Sequence, residues 1–126
     1  MNDDQRDQLT ELVIGRAIDV HRVLGPGLLE SAYEACLCKE LADHDVAFSR
    51  QVPMPVIYKE ERIDCGYRLD LLIEDKLIVE LKAVERLLPL HEAQLLTYLR
   101  LSGIETGLLM NFNVRMLKDG IKRLVI

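Results

Sequence analysis

The stretch Ile63-Asp64-Cys65-Gly66-Tyr67-Arg68-Leu69-Asp70-Leu71-Leu72-Ile73-Glu74-Asp75-Lys76-Leu77-Ile78-Val79-Glu80-Leu81-Lys82 decides the fold. From Ile63 to Ile73 every odd position is apolar, and Asp64, Gly66, Arg68 and Asp70 lie between them. A period of two marks a strand with one buried face. Glu74-Asp75-Lys76 reads as a turn, after which Leu77, Val79, Leu81 and Ala83 continue one side and Ile78, Glu80, Lys82 and Val84 the other. The two runs predict an antiparallel hairpin. A loop with an odd number of residues centred on Asp75 sets Asp70 opposite Glu80 and Arg68 opposite Lys82, with opposed Cβ atoms about 4.5–5.5 Å apart. The apolar side agrees, because Leu69, Leu71 and Ile73 then align with Leu81, Val79 and Leu77. An even loop would turn Glu80 to the other side. The expectation is a sheet with its core on one face and two carboxylates and an amine on the other.

Two carboxylates brought together are costly unless a cation neutralises them. Magnesium or manganese suits oxygen ligands, with Asp70 and Glu80 as the carboxylates and the backbone carbonyl of Leu81 as a further candidate. A cation makes bound water easier to ionise and stabilises charge growing on a phosphate. Lys82, two residues after Glu80 and on the same side, can orient that water or offset phosphate charge. The residue types therefore point to metal-dependent phosphodiester chemistry. The competing reading is a solvated strand face that happens to carry Glu80 and Lys82.

Around this hairpin, residues from about 4 to 23 read as an amphipathic helix, with Leu9, Leu12, Val13, Ala17, Val20 and Leu24 at helical spacing. Gly25-Pro26-Gly27 stops it. A second helix is expected from about Leu28 to Ala42, with Leu29, Tyr33, Cys36, Leu37 and Leu41 on or near one face. Val52 to Tyr58 reads as a strand, made irregular by Pro53 and Pro55. Pro89 suits the first turn of a third helix that ends near Ser102, with Gly103 beyond it. Thr106 to Phe112 reads as a buried strand and Ile121 to Ile126 as a last one. Helices and strands in this order form an α/β (α+β) sandwich rather than a repeated crossover fold.

Four further positions, Glu30, Tyr33, Gln94 and Tyr98, carry a plain reading beside a functional one. Glu30 opens the second helix, where the helix dipole alone stabilises a carboxylate. Its functional reading is a third acidic group approaching the same cation. Tyr33 is three residues on, with core packing as its plain role. Gln94 and Tyr98 share a face of the third helix, either as ordinary polar surface or as groups that bond phosphate and hold Lys82. His91 begins that helix and is a weaker candidate. Gly25 to Glu30 does not make a dinucleotide loop, because its sixth position is Glu and a helix precedes it. His91-Glu92 lacks the second histidine of a zinc-protease helix.

A chain of 126 residues is expected to form one domain, residues 1–126, with a substantial core. It has no apolar run of about 18 residues, which excludes a membrane-spanning helix. Its start lacks a leader's basic and apolar regions, so a cytoplasmic protein is expected. Cys36, Cys38 and Cys65 are read as reduced, mostly buried thiols rather than a zinc site. A net charge of −5 argues against nonspecific coating of nucleic acid. It leaves room for a local basic face built from Arg62, Arg68, Lys82, Arg86, Arg100, Arg115, Lys118, Lys122 and Arg123.

Gly27-Leu28-Leu29-Glu30-Ser31-Ala32-Tyr33 resembles the motif that names the GxxExxY proteins. The similarity continues through Asp70-Leu71-Leu72, Ile78-Val79-Glu80-Leu81-Lys82-Ala83, His91 with Gln94 and Tyr98, Gly107-Leu108-Leu109-Met110-Asn111-Phe112, and Gly120-Ile121-Lys122-Arg123. That family is similar to the PD-(D/E)XK nuclease superfamily, in particular its RecB-like branch. The resemblance implies a restriction-endonuclease-like core: a helix, a three-stranded antiparallel meander, a helix and further strands. It implies Glu30, Asp70, Glu80 and Lys82 as catalytic positions, with Glu30 beside Asp70 and Glu80 at the metal, and Gln94 and Tyr98 as accessory residues. Leu69 stands where the name of the superfamily has proline. The implied activity is magnesium- or manganese-dependent hydrolysis of nucleic acid, DNA ahead of RNA. The alternatives are a noncatalytic nucleic-acid- or partner-binding module, and a homodimer pairing two sites.

Overall fold

The computed structural model describes residues 3–126, and side chains from residue 8 onward. Met1 and Asn2, part of the single-domain expectation, lie outside the described residues. Helix α1 (Asp3–Leu24) and helix α2 (Glu30–Asp43) come first. Strands β1 (Phe48–Pro53), β2 (Val56–Tyr58), β3 (Glu61–Ile63), β4 (Arg68–Ile73) and β5 (Leu77–Lys82) follow. Helix α3 (Pro89–Ser102) then leads to β6 (Thr106–Asn111), a 3-10 turn at Leu117–Gly120 and β7 (Ile121–Val125).

One sheet runs in the order β1-β4-β5-β6-β7, and β2 pairs with β3 as a separate hairpin. β1, β4 and β5 are antiparallel neighbours and form the expected meander, with the small hairpin inserted between its first two strands. β5 and β6 are parallel, which requires the crossover that α3 supplies. The ladder between β4 and β5 pairs Leu71 with Val79, Leu72 with Ile78 and Ile73 with Leu77, the register that an odd loop at Asp75 predicts. α3 has the expected bounds, with Pro89 in its first turn and Gly103 in the left-handed region at φ 76° behind it.

Both faces of the sheet are covered, which corrects the expectation of one core face and one chemical face. On one side, Val13, Ala17 and Val20 of α1 and Tyr33, Leu37 and Leu41 of α2 pack on Leu71, Ile73, Leu77, Val79, Leu81, Leu108 and Met110. On the other, Leu95, Tyr98 and Leu99 of α3 pack on Ile78, Leu109, Leu69 and Met54. Each large aliphatic side chain buried this way contributes about 1.5–3 kcal/mol. β5 and β6 are buried on both faces, so their cores are unbroken apolar runs rather than alternations.

The remaining departures are local. The run from Val52 to Tyr58 is divided into β1 and β2 at its two prolines, which cannot donate to a ladder. The run from Ile63 to Ile73 is broken between β3 and β4, where Gly66 has φ 77°. Leu69 joins the α3 side while Leu71 joins the α1–α2 side, so the alternation that links them fails at Asp70. The β4–β5 ladder does not extend to the expected pair of Arg68 and Lys82. On the other edges of the two strands, Arg68 pairs with Pro53 of β1 and donates to the carbonyl of Gln51 at 3.4 Å, and Lys82 pairs with Asn111 of β6. α2 begins at Glu30, and Leu29 is exposed. Cys38 is buried, Cys36 half-buried and Cys65 exposed, all three as free thiols.

Candidate active site

The β4–β5 ladder changes character one pair beyond Leu71–Val79. There the backbone N–H of Asp70 donates to Glu80 Oε2 at 2.8 Å, and the backbone N–H of Leu81 donates to Asp70 Oδ2 at 2.9 Å. Each carboxylate thus accepts a bond from the opposite strand's backbone and lies in the seam between the strands. This binds the two acids to one place and still leaves one oxygen of each outside the pair of bonds.

The electrostatics are those of crowded acids. Burial, reinforced by the charge of Asp70, pushes the Glu80 carboxyl up to about 8. Burial also raises Asp70, with the charge of Glu34 adding to it, while the bond from the Leu81 N–H opposes the rise. Glu30 is raised in the same way, by partial burial and then by Asp70 and Glu34. The Lys82 ammonium pulls all three back towards the charged form, so it sits within electrostatic reach of each. Lys82 forms no ion pair among the described residues, which leaves its charge available to a bound anion.

α2 brings two carboxylates to the seam. Glu30 opens the helix, and Glu34 follows one turn later on the same face. A small cleft is lined by Glu30, Ser31, Glu34, Gln51, Asp70 and Leu81. Glu34 is buried and accepts from Arg50 Nη2 at 3.0 Å and from Gln51 Nε2 at 2.7 Å. Gln51 Nε2 also reaches Asp70 Oδ1 at 3.4 Å. Glu34, Arg50 and Gln51 were not anticipated. The one signal in the sequence was the single-turn spacing of Glu34 from Glu30.

Tyr33 does not project into this cleft. Its ring stacks on Phe112 at 4.5 Å between centroids, and its hydroxyl donates to the Gly25 carbonyl at 2.6 Å and accepts from Leu28 N–H at 3.2 Å. It fixes the loop that leads into Glu30. Asn111 does comparable work beyond Lys82: its amide accepts from Val84 N–H at 3.0 Å and donates to the Val84 carbonyl at 2.9 Å.

α3 lies across the other side of the seam. Gln94 and Tyr98 line a groove with Tyr67, His91, Thr97 and Leu101. Tyr98 is buried, and burial together with the charges of Glu80, Tyr67 and Asp70 holds its phenol up to about 12. It is therefore a neutral donor near the two acids. His91 Nδ1 accepts from the Leu88 N–H at 2.9 Å and caps the helix.

Among the described residues, no three His, Cys, Asp or Glu side chains already form a metal-holding cluster. The seam instead offers two hard carboxylates, with Glu80 raised by burial and then by the charge of Asp70. That donor set fits a cation that binds through one or two carboxylates and keeps several waters, as magnesium does. It does not fit a metal that demands a complete protein cage.

The mixed sheet, its crossover helix and the acidic seam at the β4–β5 junction define an α/β/α sandwich with a restriction-endonuclease-like core. The family model of the PD-(D/E)XK nuclease superfamily matches residues 7–124, and the chain belongs to that superfamily. No curated protein and no solved structure matches the chain. Among the described residues, no helix is long and apolar enough to cross a membrane.

Proposed function

We propose that residues 1–126 act as one magnesium- or manganese-dependent nuclease domain that hydrolyses phosphodiester bonds, in DNA ahead of RNA. The observation that carries this reading is the interlocked pair Asp70 and Glu80, with the ammonium of Lys82 within electrostatic reach of both. Asp70 and Glu80 are the primary ligands for the cation, and Glu30 and the Leu81 carbonyl complete its environment from α2 and β5. Bound there, the cation supplies a water of lowered pKa and positive charge against the phosphate. Lys82 orients that water and offsets charge that develops on the phosphate. Gln94 and the neutral phenol of Tyr98 donate to phosphate oxygens along the α3 groove. Burial of the seam strengthens each of these interactions relative to water.

The test is a cleavage assay on single-stranded, double-stranded and branched DNA and RNA, with the divalent cation varied and Glu80→Gln as control. Cation-dependent cleavage that Glu80→Gln loses supports the reading. Tight nucleic-acid binding without cleavage by the wild-type protein, with any divalent cation, makes the chain a noncatalytic binding module.

A further inference from the structure

Gln51 has an unusual backbone for its place. Six non-glycine residues have positive φ among the described residues, and Gln51, at φ 50°, is the one inside a strand of the main sheet. The other five lie in turns or loops. The β1–β4 ladder pairs Arg50 with Leu71 and Val52 with Leu69, but it skips the intervening pair of Gln51 and Asp70. The β4–β5 ladder likewise stops short of Asp70. Asp70 is therefore released from regular pairing on both flanks, and side chains hold it instead.

On the β1 flank the holding group is the Gln51 carboxamide. One nitrogen, Nε2, lies 2.7 Å from Glu34 Oε1 and 3.4 Å from Asp70 Oδ1. Glu34 is itself anchored by Arg50 at 3.0 Å, and the Gln51 carbonyl accepts from Arg68. A left-handed backbone is unfavourable for an L-residue, whose Cβ crowds the following carbonyl. Such strain persists where the surroundings impose it, and it gathers at functional sites.

Resting on the proposed cation site, we infer that Gln51 is a positioning residue: anchored by Glu34, its amide bridges to Asp70 and holds that carboxylate in place to receive the divalent cation. The strained backbone is what turns the amide towards both acids from a strand otherwise engaged in the sheet. Groups of this kind behind a metal ligand change cation affinity by about 10- to 100-fold when removed.

The experiment measures two quantities on Gln51→Gly, Gln51→Ala and the wild-type protein. They are Mn2+ affinity by calorimetry and the melting temperature of the metal-free protein. Glycine relieves the strain and both variants lose the amide, so Gln51→Gly is expected to melt about 3 °C higher than Gln51→Ala. It is also expected to bind Mn2+ about tenfold more weakly than wild type. Gln51→Ala keeps the strain and loses the amide, so it binds Mn2+ as weakly as the glycine variant without the gain in melting temperature. A purely structural Gln51 would leave Mn2+ affinity unchanged in both variants, and that result overturns the inference. If Asp70→Asn loses Mn2+ binding while both Gln51 variants keep it, only this inference falls. If the wild-type protein takes up no Mn2+, the cation site and this inference fall together.

Discussion

Asp70 and Glu80 are locked to each other's strands: the Asp70 N–H donates to Glu80 Oε2 at 2.8 Å, and one residue past Glu80 the Leu81 N–H donates to Asp70 Oδ2 at 2.9 Å. Two acids held in one seam repel each other, and the arrangement is sustained by backbone donors and the nearby Lys82 charge. A structure that served stability alone would gain by replacing such a buried pair with apolar residues. Retention of the pair is the physical argument for a ligand.

The pH dependence of folding follows from Glu80. Its carboxyl titrates near 8 in the folded protein against 4.5 ordinarily, so the folded state binds more protons between those values. Stability of the metal-free protein therefore falls as pH rises from about 4.5 to about 8, and levels off above. Asp70 and Glu30 are raised as well and add to the fall with the same sign. Urea unfolding from pH 4 to 9 measures this, and Glu80→Gln is expected to flatten much of the slope. A divalent cation that binds the charged pair should reverse the trend at pH 8.

Catalysis and folding should separate at Lys82. Lys82→Ala removes a charge that eases the crowding of Glu30, Asp70 and Glu80, so the metal-free protein is expected to melt somewhat lower at pH 8, with the loss shrinking as the acids protonate towards pH 5. Single-turnover cleavage is expected to fall by about 100-fold or more. Asp70→Asn should lose cleavage to a similar extent and also lose cation binding, which distinguishes a ligand from a group acting on the reacting water.

Tyr33 supports the loop before Glu30 through its hydroxyl. Tyr33→Phe keeps the stack on Phe112 and removes the bonds to Gly25 and Leu28. The expected loss is about 1–2 kcal/mol, read by chemical denaturation. A loss near zero would show that the loop closes without the hydroxyl.

Asn111 is buried and satisfies both polar groups of the Val84 backbone. Asn111→Ala removes both bonds, leaving the Val84 carbonyl only the 3.5 Å contact from Asn113 Nδ2, and is expected to cost about 1–2 kcal/mol. Because Val84 follows closely on Lys82, cleavage should drop beyond what the stability loss explains.

Much of this molecule was legible because hydrophobic period, turn position and capping chemistry agreed. The register of β4 on β5 came from apolar residues that had to share a face, and the bounds of α3 came from Pro89 and Gly103. The same logic failed at Asp70. There side chains replace the ladder, so Leu69 and Leu71 fall on opposite faces although two residues apart. Pro53 and Pro55 signalled irregularity but not a separate hairpin. Glu34 and Gln51 could not be seen, because no period marks a side chain whose importance lies in its bonds to another element. Glu30, Asp70, Glu80 and Lys82, the positions expected from the resemblance, are brought within electrostatic reach of one another, while Tyr33 is turned into the core.

The central claim is that a divalent cation sits between Asp70 and Glu80. Anomalous diffraction at the manganese edge, from crystals grown with Mn2+, tests it most directly. A peak between the two carboxylates, absent in Asp70→Asn crystals, is the expected result. A wild-type seam without a peak, or one peak at a different group of residues, would contradict it.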